Sequence, residues 1–420
     1  MNWGPLANTS SLCRRLIYRN YFKLVCLLCG FLVSENVFAQ HDSSMGKSDT
    51  TRPSRTEDII ELAINIFNID TTRKPRSGKK VNFSLLPSGS SVPGGGAAII
   101  TTLNAAFYLG DAKQTNLSTV YFTPVFTTSG KILLTLRSSI WSKNNSFFMP
   151  GEIRLFKYPY YTWGLGGDTP EENRTNLNFN YTRFYQSILK KIAGPLSAGV
   201  GYRFDRYFDI EEEIEDTSGS SNLNKYAYGK DSSKSSGFTL EVLYDSRKNS
   251  INPPKGKYLR VVYRNNQEGL GSHYNWQSLF VDGRIYVPIK SSKRKLIAFR
   301  SYYWTKLAGL VPYLDLPSNG WDFNGFPRGI QRSRYRSNAL LSGETDFRFD
   351  ISANGFWGGV LFASCLSASE FNTQNFSVFH PAAGGGIRIK FNKYSGANIA
   401  IDFAFSKNFS GLYLNLGEAF

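Results

Sequence analysis

Several segments of this chain alternate apolar and polar side chains so strictly that only a sheet can sort them. In ETDFRFDI, Phe347, Phe349 and Ile351 fall on one face, and Glu344, Asp346, Arg348 and Asp350 on the other. NIAIDFAFS sets Ile399, Ile401, Phe403 and Phe405 against Ala400, Asp402 and Ala404. GIRIKF sets Ile387, Ile389 and Phe391 against Arg388 and Lys390. GFTLEVLYDSR sets Phe238, Leu240, Val242 and Tyr244 against Thr239, Glu241 and Asp245. A wholly apolar face opposite a small or charged one fits a sheet with lipid outside and a polar lumen inside. A soluble sandwich shares the same period. The number and length of the segments, together with an export signal, favour the barrel.

That signal is at the N-terminus. Arg14, Arg15, Arg19 and Lys23 precede the short apolar run LVCLLCGFLV, and VFA places Ala39 before Gln40. Residues 1–39 therefore read as a signal peptide. The run is too short to span a bilayer as a helix, and no second run is long enough. A chain that crosses a membrane without such helices must do so as a closed barrel. Only Cys365 lies beyond the signal, so no internal disulfide is expected. The net charge of +17 falls to +14 once the signal is removed. A basic balance suits nucleic acid. An exported chain meets anionic lipid first, so no nucleic-acid partner is expected.

Residues 40–80 form a polar tail. Within it, TEDIIELAINIFNI places Ile59, Leu62, Ala63, Ile66 and Phe67 at helical spacing behind Thr56, which predicts a short amphipathic helix near 57–68. From 81 to 420 the pattern resolves into about sixteen antiparallel strands, an even number as single-chain barrels require. Short turns such as INPPKGK, KSSKRK and NKYSG alternate with long connections, including 209–235 and 310–337. Short periplasmic turns and long outer loops put both barrel ends on the periplasmic side. The fold class is all-β, a transmembrane antiparallel barrel.

YDSRKNSINPPKGKYL, GFPRGIQRSRYRSNALLSGETDFRF, GGGIRIKF, IAIDFAF and the closing LYLNLGEAF resemble the barrel domain of the bacterial surface-antigen family, the BamA/TamA-type outer-membrane proteins. The likeness runs in order over most of 236–420. It is fainter before that, where LLPSGSSVPGGGAA and YPYYTWGLGGD carry it. It implies that the loop at about 310–337 folds into the lumen and that Arg328 and Gly329 dock there on inward charged residues. Residue chemistry points the same way, since a guanidinium in a narrow lumen needs a carboxylate that accepts its fork. Asp346 on the next strand is the first choice. Glu344, Asp350 and Asp402 stand in reserve, and Arg388 shares the inner wall. Two features depart from the family. Ser364 and Leu366 stand where an aspartate and a glycine are usual, and 40–80 is too short for a periplasmic substrate-binding repeat.

The resemblance further implies outer-membrane lipid and lipopolysaccharide as surroundings and the barrel-assembly machinery as a partner in biogenesis. Substrate docking would then fall to a separate lipoprotein or soluble periplasmic partner, or the protein has another role. Leu412, Leu414, Leu416 and the terminal Phe420 read as the C-terminal assembly signal, acting by strand addition to the machinery. Glu418 stands in it where an aromatic is more usual, at the level of the headgroups.

No cofactor, metal site or catalytic residue is expected. His41, His273 and His380 have no G-x-S-x-G motif beside them, and no His or Cys cluster has ligand spacing. The expected function is assistance in inserting or translocating outer-membrane or surface molecules through a weak seam between the first and last strands. A loop-gated passive pore and a surface structural or adhesive barrel are the alternatives.

Overall fold

A computed structural model describes residues 81–87, 98–111, 114–127, 132–157, 159–214, 221–289, 295–320, 326–392 and 396–420. The signal segment 1–39 and the tail helix near 57–68 lie outside the described residues.

The first half of the wall comprises β1 (Val81–Pro87), β2 (Ala98–Phe107), β3 (Ser118–Thr127), β4 (Ile132–Trp141), β5 (Phe147–Lys157), β6 (Tyr160–Thr162), β7 (Thr175–Ala193) and β8 (Leu196–Ile214). The second half comprises β9 (Ser233–Asp245), β10 (Gly256–Asn266), β11 (Trp276–Pro288), β12 (Lys295–Gly309), β13 (Ala339–Asp350), β14 (Trp357–Ala368), β15 (His380–Asn392), β16 (Ala397–Ser406) and β17 (Ser410–Leu416). One described α-helix, α1 (Asn222–Tyr226), sits in the β8–β9 connection, where the Ser221 side chain accepts the Asn224 N–H.

Successive strands pair antiparallel from β1 to β17. β5 and β6 are one stave. Lys157 opposes Asn180 and Tyr160 opposes Leu177, so both segments follow the same register along β7. Among the described residues the wall therefore has sixteen staves, as the sequence pattern implies.

Side-chain exposure follows the alternation. On β16, Ala400, Asp402 and Ala404 are fully buried, while Phe403 and Phe405 are each 53% exposed. On β9, Thr239 and Glu241 are buried between exposed Phe238, Leu240 and Val242. Exposed Ile188, Val200, Leu361 and Ile387 continue the outer apolar face on other staves. So large an apolar exterior needs a partner, and lipid provides it around a barrel of the outer-membrane type. No described helix is long and apolar enough to cross a membrane.

The interior is filled largely by a loop. Every residue from Val311 to Gly320 and from Phe326 to Ile330 is buried. Tyr313 and Leu314 join Leu177, Tyr181 and Tyr207 in one apolar cluster. Phe326, Ile330 and Tyr335 join Tyr302, Leu340 and Phe420 in another. The connection from β12 to β13 thus supplies much of the barrel's core.

Candidate functional site

Arg328 follows a cis Phe326–Pro327 bond and is 2% exposed. Its Nε donates to Glu344 Oε1 (3.0 Å), its Nη1 to Asp402 Oδ2 (2.6 Å) and its Nη2 to Asp346 Oδ1. Its backbone N–H donates to Glu344 Oε2 at 2.8 Å. The guanidinium carbon lies 3.6 Å from the centroid of the Phe362 ring, a cation–π contact. Burial alone would lower the Arg328 pKa, but Glu344, Asp346 and Asp402 outweigh it and raise the group above its ordinary value.

The acceptors are held in turn. Asp346 Oδ2 takes Arg348 Nε at 3.0 Å and Nη2 at 2.9 Å. Asp402 takes both Nη atoms of Arg388, at 2.5 and 3.2 Å. The GGG run on β15 makes room for this: a Cβ on Gly386 would lie 1.9 Å from Asp402 Oδ1. Asp350, read as a reserve partner, is exposed at the end of β13.

Three contacts on the loop were not foreseen. Ser364 Oγ donates to the Arg328 carbonyl at 2.8 Å, so the residue standing where an aspartate was expected binds the loop backbone instead. The register would have revealed both it and Phe362, since Glu344 opposes Ser364 and Asp346 opposes Phe362. The Gly329 N–H donates to Tyr413 Oη on β17 at 3.0 Å.

Gly329 has φ +84°, and a Cβ there would stand 2.7 Å from Ala382 Cβ and 3.3 Å from Ala404 Cβ. Gly329→Ala is expected to strain the backbone by about 1–3 kcal/mol, with the contact against two wall alanines added. The loop of the purified variant should be cut faster by an external protease. A cleavage rate equal to the parent's would refute this.

Two further arginines of GFPRGIQRSRYR tie the loop to the segment that runs from β6 to β7. Arg336 donates to the carbonyls of Tyr313 (2.8 Å) and Leu316 (3.2 Å) and to Tyr160 Oη. Its own carbonyl accepts the Gly166 N–H at 2.8 Å. Arg334 donates to Thr169 Oγ1 and to the Thr169 carbonyl, each at 2.5 Å. YYTWGLGGD and QRSRYR are therefore clamped together. His380 belongs to this clamp: its Nδ1 bonds Tyr335 Oη (2.9 Å) and its Nε2 bonds the Gly167 carbonyl (2.8 Å). Asp315 accepts Ser235 Oγ at 2.6 Å. Burial, then the nearby Asp205 carboxylate, push the Asp315 carboxyl up to about 7.

The C-terminus departs from the expected strand signal. β17 ends at Leu416, and Gly417, with φ +100°, turns the chain inward. Leu412 faces outward at 50% exposure, whereas Phe420 is 5% exposed and packs edge-on against Phe326 (centroids 6.0 Å apart). The Phe420 carbonyl accepts Arg348 Nη2 at 3.0 Å. Glu418, expected near the headgroups, is buried inside and accepts Arg388 Nε (2.8 Å) and Asn398 Nδ2 (2.7 Å). Burial raises its pKa, but Arg348 and Arg388 prevail and hold it down to about 2. Among the described residues no group of three or more His, Cys, Asp and Glu is placed to hold a metal ion.

No family model matches the sequence, and no curated protein matches it. Solved structures do. BamA from Haemophilus ducreyi lacking POTRA domains 1–3 superposes with a TM-score of 0.52 at 11% identity, over 80% of this chain and 69% of that one. CdiB from Acinetobacter baumannii gives a TM-score of 0.51 at 11% identity, over 81% of this chain and 60% of that one. At this identity the likeness is one of fold.

Proposed function

We propose that this chain, whose fold is that of the BamA/TamA-type outer-membrane barrels, assists the insertion or translocation of outer-membrane or surface molecules at the seam between its first and last staves. The seam carries the reading. Among the described residues β1 ladders only with β2, and β17 only with β16. Both strands have 7 residues, against 19 in each of β7 and β8. Pro87, which ends β1, has no N–H to give a partner. Few bonds need be broken to part such edges. In this reading both barrel ends face the periplasm, lipid and lipopolysaccharide surround the wall, and a separate periplasmic protein supplies substrate docking. The chain does no covalent chemistry.

In vesicles of outer-membrane lipid, the purified barrel should speed the folding of a small unfolded outer-membrane barrel several-fold over protein-free vesicles, read as protease-resistant, heat-modifiable product. Equal rates would remove the reading. The loop-gated pore would then stand, on the observation that a buried loop fills the lumen.

A further inference from the structure

We propose that the lumen also contains a binding site for a phosphate-bearing polyanion, in a chamber of about 510 Å³ walled by β4, β5, β7, β8 and β10–β12. Eight arginine side chains line it. The carboxylates that reach them are shared. Glu152 takes Arg137 (2.7 Å), Arg154 (2.6 Å) and Arg183 (3.4 Å). Asp205 takes Arg183 (3.2 Å) and Arg264 (2.7 Å). Glu241 takes Arg260 at 2.6 Å and Arg203 at 3.6 Å. Asp282 takes Arg284 (2.7 Å) and Arg300 (2.9 Å). Among the described residues, and counting Asp315 of the loop as well, eight guanidiniums line a chamber reached by five carboxylates. The cluster around Arg328 is different: three arginines there face Glu344, Asp346, Asp402 and Glu418.

Four of these arginines are placed against the interests of the sheet. Arg154 stands directly opposite Arg183, and Arg284 directly opposite Arg300. Like charges in facing positions destabilise a ladder. A wall selected for stability alone would need neither pair. Aromatic rings hold the forks in place, with Arg264 4.8 Å from the Trp276 ring, Arg284 4.7 Å from Tyr258 and Arg203 4.7 Å from Tyr185. Arg203 is the least committed of them: its Nε makes no hydrogen bond within the protein, and Glu241 is 3.6 Å away.

Guanidinium forks bind oxyanions through paired N–H bonds. Forks arriving from several staves suit a ligand whose oxygens point in several directions, as a phosphate group's do and a planar carboxylate's do not. The volume compares with about 30 Å³ for one water, which leaves room for a diphosphate with part of its hydration. A soluble phosphate compound and the phosphorylated headgroup of a glycolipid share this chemistry.

The probe is inorganic pyrophosphate, titrated calorimetrically into the full-length barrel in detergent at fixed ionic strength. Saturable binding near one per chain is expected. Arg203→Gln should weaken it about tenfold, the equivalent of roughly 1.4 kcal/mol for one charge-assisted contact, and Arg203→Lys by less. Arg247→Gln, at the β9–β10 turn outside the chamber, should bind as the parent does. Prior loading with lipopolysaccharide that blocks pyrophosphate, where its dephosphorylated form does not, would assign the site to a lipid headgroup. Pyrophosphate binding undisturbed by either would assign it to a soluble compound. If Arg203→Gln does not assemble, phenylglyoxal labelling of the parent decides: pyrophosphate should protect Arg203, and sodium chloride of equal ionic strength should not. No saturable binding, unchanged affinity in an assembled Arg203→Gln, or no protection would overturn the proposal.

Discussion

Replacing Arg328 by alanine should release the loop from the lumen and cost about 3–5 kcal/mol, the price of stranding buried carboxylates whose counter-charge is gone. Glu344, Asp346 and Asp402 all lose a donor together. Asp346→Ala should cost less, because Arg328 keeps the other two. The double variant should cost little more than Arg328→Ala alone, since both changes break one network. Arg328→Lys should recover only part, as an ammonium cannot reach three carboxylates with a planar fork. Two readouts apply: cleavage between 310 and 337 by protease added from outside, and single-channel conductance in a planar bilayer. Both should rise in Arg328→Ala. Strictly additive costs, or an uncut loop, would show that the network does not hold it.

The second large effect is expected at the last residue. Phe420→Ala removes a ring packed against Phe326 and Tyr286 under the Arg348 guanidinium. Truncating a buried phenylalanine costs about 3–5 kcal/mol. The temperature at which the heat-modifiable band unfolds should fall clearly. The fall should persist in protein refolded into detergent without any assembly machinery. A variant that assembles poorly in cells but unfolds at the parent's temperature once purified would restrict Phe420 to a role in biogenesis.

Faces were legible in the sequence, and distances were not. The period of two separated lipid from lumen because each strand buries one face, so Asp402 and Phe403 could be assigned without coordinates. The family resemblance aimed Arg328 inward, and the carboxylates on the polar face of the next strand supported that direction. The choice among those carboxylates depended on register, which a strand's own residues do not encode. Hence Ser364, Phe362 and Tyr413 were missed, and Asp350 was included although it lies at the exposed strand end. The terminal segment misled for another reason. Leu412, Leu414 and Leu416 continue the alternation, and the inward turn depends on Gly417 adopting a positive φ. Glu418 was the available signal: a carboxylate there needs the arginines of the inner wall.

The docked loop has a mechanical consequence. A hollow cylinder is stiff along its staves and soft toward flattening, unless something spans its bore. This loop is such a crossbeam. One end is fixed at Tyr160, Thr169 and Tyr207 on the β6–β8 side. The other is fixed at Glu344, Ser364, Asp402 and Tyr413, on β13, β14, β16 and β17. The described anchors of the beam therefore grip the trailing edge of the seam and leave β1–β4 outside its span. Flattening should meet resistance along the braced staves, so the trailing edge is held rigid against bending.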